Sequence, residues 1–146
     1  MNELRELYQE MIIEHGRHPR NFCVLENASC KQEGFNPLCG DHLILFLIEK
    51  NGVIENISFQ GSGCAISMAS ASLMTDAVKN KSIKEAEKLF QQFHLLITEN
   101  KSEENLGKLA VLAGVSEFPA RVKCATLAWH TLKAALQNET QTVSTE

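Results

Sequence analysis

"LILFLIEKNGVIENISFQ", residues 43–60, decides the fold. Leu43–Glu49 and Val53–Gln60 have the branched and aromatic composition of strands. Between them stands Asn51-Gly52, the pair that best tolerates the two positive φ angles of a tight type I′ turn. The stretch therefore reads as an antiparallel hairpin. Its continuation, "QGSGCAISMASASLMTDAVK", opens on two glycines and runs on in small helix-compatible residues such as Ala65, Ala69, Ala71 and Ala77. A turn into a helix is expected there, with Cys64 at the very start of the helix.

Helices dominate on both sides of the hairpin. Leu4, Leu7, Tyr8, Met11 and Ile12 recur at three and four residues, which predicts an N-terminal helix with one buried stripe. Gly16 and Pro19 in "HGRHPRNF" oppose its continuation. Residues 21–38 carry no clear period and leave room for one short strand and a loop. "SIKE", Ser82 to Glu85, is a capping box, and Ala86, Leu89, Phe90, Phe93 and Ile97 give the next helix its apolar face. Ser102 is expected to cap a further helix through "EENLGKLAVLA", ended by Gly114. Pro119 suits the first turn of a last helix running through Trp129 to about Leu136. A strand hairpin followed by a run of helices predicts an α+β fold. Residues 1–137 are expected to form one domain and 138–146 a polar, disordered tail.

Composition narrows the function. The chain has 146 residues, enough to bury a core without disulfide staples. Net charge is −4 with no basic block, which argues against nucleic acid and anionic membrane as partners. The longest apolar run, Leu43 to Ile48, is far short of the roughly 20 residues that span a bilayer. The N-terminus, Met-Asn-Glu-Leu-Arg-Glu-Leu, is acidic and amphipathic and does not read as a secretory signal. A cytoplasmic location is expected. Five cysteines in a reducing compartment point to metal binding or thiol chemistry rather than disulfides.

Three of the five, Cys39, Cys64 and Cys124, fall at element boundaries. In an extended segment residues two apart face the same side, so Cys39 and Asp41 in "NPLCGD" can address one point. Cys64 at a helix N-terminus feels the positive end of the helix dipole, which favours its thiolate. Arg121 shares a helix face with Cys124 at a spacing of three, within reach of that thiol or of a site it helps to build. Three thiolates and one carboxylate make a donor set that suits tetrahedral zinc, and Arg121 can offset part of its excess negative charge. Spacing alone does not establish this, because cysteines 25 and 85 residues beyond "CGD" match no zinc-finger pattern and a single cysteine often packs as a small hydrophobe. Cys23 and Cys30 read as packing residues. His15, His18, His94 and His130 read as surface or boundary histidines, and a second metal site using Cys30 or His42 has no support.

"NPLCGD", "GSGCAISMASAS" and "RVKCATLAW", together with "LYQEMIIEHGRHPRNF", resemble the IscU/SufU family of iron–sulfur cluster assembly proteins. The resemblance covers roughly residues 4 to 136. It implies a three-stranded antiparallel sheet packed by helices, with Cys39, Asp41, Cys64 and Cys124 as metal ligands at one exposed end. IscU-type members carry a histidine just before the last cysteine; here that position is Lys123. "EFPARVK" replaces the Pro-Pro stretch of the IscU type, and residues from about Lys79 to Glu104 are similar to an insertion typical of SufU. Arg121 matches an arginine typical of the same branch. A SufU-type resemblance implies a Zn²⁺-dependent sulfurtransferase partnered by a SufS-like, pyridoxal-phosphate cysteine desulfurase and by downstream iron–sulfur assembly machinery. Cys39 would accept persulfide sulfur after exchanging its place on the metal with a histidine of the desulfurase, and Arg121 would give charge support. The alternative implied by the IscU branch is a scaffold for iron or a [2Fe–2S] cluster on the same residues.

Overall fold

The computed structural model describes residues 2–101, 106–137 and 142–145, with side chains from Glu6 onward. Its elements run α1 (Asn2–Arg17), β1 (Cys30–Asn36), β2 (Asp41–Lys50), β3 (Val53–Ser62), α2 (Ala65–Val78), α3 (Ile83–Glu99), a 3₁₀ helix (Gly107–Glu117), α4 (Pro119–Leu136) and β4 (Val143–Ser144). The fold is α+β. The sheet has four strands in the order β3-β2-β1-β4, antiparallel except where β4 joins β1 in parallel.

The β2–β3 hairpin turns at Asn51 and Gly52 with φ of 53° and 78°, the two positive values a type I′ turn requires. Register pairs Leu45 with Phe59 and Leu47 with Ile57, so four apolar side chains face the helices. A bulge at Ile48/Glu49 shifts the phase by one residue and brings Ile54 to the same buried face. α4 packs on β1 and β2, α2 packs on α4, and α1 lies on α2. Trp129 and Phe93 stack at 4.8 Å where α3 meets α4, filling the core beyond the sheet.

β1 occupies part of the stretch without a clear period. Its buried positions are Gln32, Gly34 and Asn36, so a strand is present without apolar alternation. Gly34 is required there: a Cβ would lie 2.1 Å from Thr131 Oγ1 of α4. The segment after α3 is the expected further helix, of 3₁₀ type and with a different end. Ser102 lies outside the described residues, and Gly107–Glu117 is a 3₁₀ helix that continues through Gly114. Leu106, Leu109, Leu112 and Val115 are all buried, and an apolar period of three matches three residues per turn. Within the stretch expected to be a disordered tail, Val143–Ser144 pairs with Gly34–Phe35, and Thr142 Oγ1 donates to Glu33 at 3.1 Å. This pairing adds a fourth strand to the expected three.

Two positions on α1 correct the sequence reading. Leu7 is 51% exposed instead of joining the buried stripe, and the side chain of Leu4 lies outside the described residues. His15 is buried: it continues the stripe of Tyr8, Met11 and Ile12, and its Nδ1 meets Ser72 Oγ of α2 at 2.7 Å. Ser72 Oγ also accepts from the backbone of Arg20 at 2.8 Å, so one hydroxyl ties α1 and the "HPR" turn to α2. The capping box at Ser82 and Glu85 is formed in both directions.

Candidate metal centre

Asn36 and Asp41 are the last register pair of the β1–β2 ladder, and Pro37–Gly40 is the loop that joins the strands. Gly40 takes φ of +70°, which lets the chain reverse there. Cys39 therefore rides at a loop tip, half-buried, while Asp41 is fixed at the first residue of β2 and fully buried. Cys124 is buried one turn and a half into α4. Ligand atoms of Cys39, Asp41 and Cys124 all lie within 4.8 Å of one another. Among the described residues this is the one such group of three.

Cys64 stands beside the trio. It is the N-cap of α2: its Sγ accepts from Ser67 N at 3.4 Å, and its own backbone N–H donates to Asp41 Oδ1 at 2.9 Å. The approach depends on Gly63, where a Cβ would fall 2.5 Å from Asp41 Oδ1. Arg121 is exposed and extends Nη1 to 3.7 Å from Cys39 Sγ and 4.0 Å from Cys124 Sγ. The nearby thiols, Cys124 first, raise the affinity of that guanidinium for its proton. His42 pairs with Glu33 on the exposed side of the sheet, and Cys30 donates to Ala135 O at 3.7 Å, so neither reaches the centre.

Asn36 belongs to the site and was not singled out by its sequence. Its buried Nδ2 donates to Asp41 Oδ2 at 2.9 Å and to Cys124 Sγ at 3.5 Å, and its Oδ1 accepts from Leu38 N at 3.3 Å. The available signal was its place before a proline, which marks a turn. One amide thus braces the loop, the carboxylate and the thiol together.

The donor set fits a cation. Burial pushes the Cys124 thiol strongly up, and its contacts with Asp41, Cys39 and Cys64 add to the effect. Anionic groups this close and this buried are unfavourable together, and a divalent ion among them reverses the balance towards thiolate and carboxylate. Thiolates with one carboxylate are donors that zinc or iron accepts.

The chain matches the family described as NifU-like N terminal domain over residues 7–125. It is 41% identical over 138 residues to the zinc-dependent sulfurtransferase SufU of Bacillus subtilis (strain 168), with 93% of each chain covered. The iron–sulfur cluster assembly scaffold protein IscU of Streptococcus pyogenes serotype M1 is 40% identical, covering 94% of this chain and 87% of that one. In three dimensions the chain superposes with a TM-score of 0.83 on a Fervidobacterium islandicum AW-1 protein given as a putative iron–sulfur cluster assembly scaffold for the SUF system, at 32% identity. That match covers 87% of this chain and 94% of the other. A carboxylate and two cysteines gathered on the fold of these relatives, by a sequence this similar to theirs, place the chain in the NifU-like N-terminal domain family, among the IscU/SufU proteins of iron–sulfur cluster assembly.

Proposed function

We propose that this protein is a zinc-dependent sulfurtransferase that accepts persulfide sulfur from a SufS-like cysteine desulfurase and passes it to iron–sulfur assembly in a reducing cytoplasm. The observation that carries the proposal is the unequal anchoring of the trio: Cys39 on a loop tip, Asp41 and Cys124 buried on β2 and α4. Cys39, Asp41 and Cys124 would hold the ion, with Cys64 completing the set from the N-terminus of α2. Zinc, when bound, keeps the thiols ionised at neutral pH.

Cys39 is the one thiol of the set placed to move, because its backbone neighbours are Gly40 and a proline-led loop. Its thiolate attacks the outer sulfur of the partner's persulfide. The new sulfur–sulfur bond forms on Cys39, the old one breaks, and its electron pair leaves with the partner's cysteine as thiolate. Arg121, 3.7 Å from Cys39 Sγ, lies where the negative charge of the new terminal sulfur develops. Asn36 and the Cys64 N–H meanwhile hold Asp41 by one oxygen each.

The alternative is a scaffold for a [2Fe–2S] cluster, which the 40% identity to a protein named as one keeps in view. Lys123 counts against it: a protonated amine has no lone pair to offer where the scaffold branch carries a histidine. Desulfurase turnover separates the two. The zinc-loaded protein should stimulate a SufS-like enzyme supplied with cysteine, and Cys39→Ala should abolish the stimulation. Full stimulation by Cys39→Ala, or a coloured iron centre as the only active form, would overturn the proposal.

A further inference from the structure

Lys123 opens a feature separate from the metal centre. Along α4, Lys123, Thr126, His130, Lys133 and Gln137 recur at three, four, three and four residues, which is one helical stripe. With Val143–Thr145 opposite, the stripe walls an open groove of about 530 Å³. Among the described residues no carboxylate lines the groove, although the chain as a whole carries −4. Lys123 is half-buried and Lys133 exposed, with the Lys133 ammonium 5.4 Å from the Phe90 ring centroid. His130 lies between them, its ring 5.4 Å from Phe90. Burial, then His94 and Lys133, hold its pKa below the usual value.

The spacing of the charges selects the shape of the ligand. Ten residues of helix separate the two lysine Cα positions by about 15 Å along the axis, the span between the points from which the two ammonium groups extend. A compact anion such as phosphate meets one of them. An extended chain rises about 3.3 Å per residue, so carboxylates four residues apart span about 13 Å and lie on one side of the strand. β4, on the opposite wall, is an edge strand of the sheet among the described residues, next to which an extended segment can align. Complementary charge at both ends and a strand at the side favour one occupant.

We infer that this groove is a docking site for an extended acidic peptide segment of a partner protein, with carboxylates at positions i and i+4 facing Lys123 and Lys133. The probe is a fluorescein-labelled peptide, Glu-Thr-Val-Thr-Glu, blocked at both ends and titrated with the full-length, metal-loaded protein at low ionic strength. Fluorescence anisotropy should rise to saturation. Replacing both peptide glutamates by Gln, or both lysines in Lys123→Gln/Lys133→Gln, should weaken binding about tenfold, as expected from two partly exposed ion pairs. The pair Lys84→Gln/Lys88→Gln, on α3, should leave it within about twofold of the parent. Absence of saturation, an equal loss in the α3 variant, or displacement of the peptide by equimolar inorganic pyrophosphate would overturn the assignment. The Gln peptide needs no altered protein, so the test stands even if a lysine variant folds poorly.

Discussion

Asn36→Ala is the substitution most directly weighted by the geometry. It deletes the donor to the buried Asp41 carboxylate at 2.9 Å, a longer contact to Cys124 Sγ at 3.5 Å, and the acceptor for Leu38 N at 3.3 Å. A hydrogen bond to a charged group contributes about 1.5–3 kcal/mol, and the two longer contacts about 0.5 kcal/mol each. The expected loss is therefore about 3 kcal/mol. At about 2–4 °C per kcal/mol for a chain of this size, the thermal transition of chelator-treated protein should fall by about 6–12 °C. Most of the cost comes from leaving Asp41 Oδ2 buried without its partner, so it should shrink when the carboxylate is gone. In an Asp41→Asn background the same Asn36→Ala change should cost at least about 1.5 kcal/mol less. Differential scanning calorimetry on the four proteins of this cycle measures both quantities. A shift under about 2 °C, or a cost unchanged in the Asp41→Asn background, would refute the bracing role assigned to Asn36.

Three further outcomes rest on the same geometry. Arg121→Ala removes an exposed side chain with only long contacts to sulfur, so the thermal transition should move by no more than about 2 °C while stimulation of the desulfurase drops sharply; a collapse of the transition with stimulation intact would contradict this. Gly63→Ala places a methyl group 2.5 Å from Asp41 Oδ1, and should lower zinc affinity at least about tenfold in a competition titration while costing about 1–3 kcal/mol of stability. Burial, helped by the charge of Arg20, holds His15 below its usual pKa, so the unfolded chain binds more protons as pH falls through the ordinary histidine range. His15 then contributes its full stability above that range and loses it on acidification; melts from pH 7 to about 5 should show a smaller decline for His15→Gln than for the parent.

Legibility in the sequence depended on how burial was achieved. The β2–β3 hairpin was readable because apolar side chains cover its buried face and Asn-Gly closes it. β1 was legible only as room for one short strand within residues 21–38, because its buried residues, Gln32, Gly34 and Asn36, are not apolar markers; Gly34 lies against Thr131 of α4 and Asn36 against Asp41. β4 has two residues and no hydrophobic signature, so only its pairing with Gly34 and Phe35 reveals it. The 3₁₀ helix reads as an α-helix in sequence because an apolar spacing of three also belongs to the α-helical period. At the candidate metal centre, the residues proposed to carry chemistry stood out by type: Cys39, Asp41, Cys64, Arg121 and Cys124. Those that shape it did not. Asn36 and Gly63 act through hydrogen bonding and through an absent methyl group, and each is visible only when Asp41 is set beside it.

The proposed chemistry comes down to one atom acquiring another. Zinc-loaded protein, incubated with a SufS-like desulfurase and cysteine and then alkylated and digested, can be mapped by mass spectrometry for added sulfur on each of its five cysteines. One extra sulfur on the Cys39 peptide, absent when the desulfurase is omitted, is the expected result. Sulfur on Cys64 or Cys124 with Cys39 unmodified would contradict it.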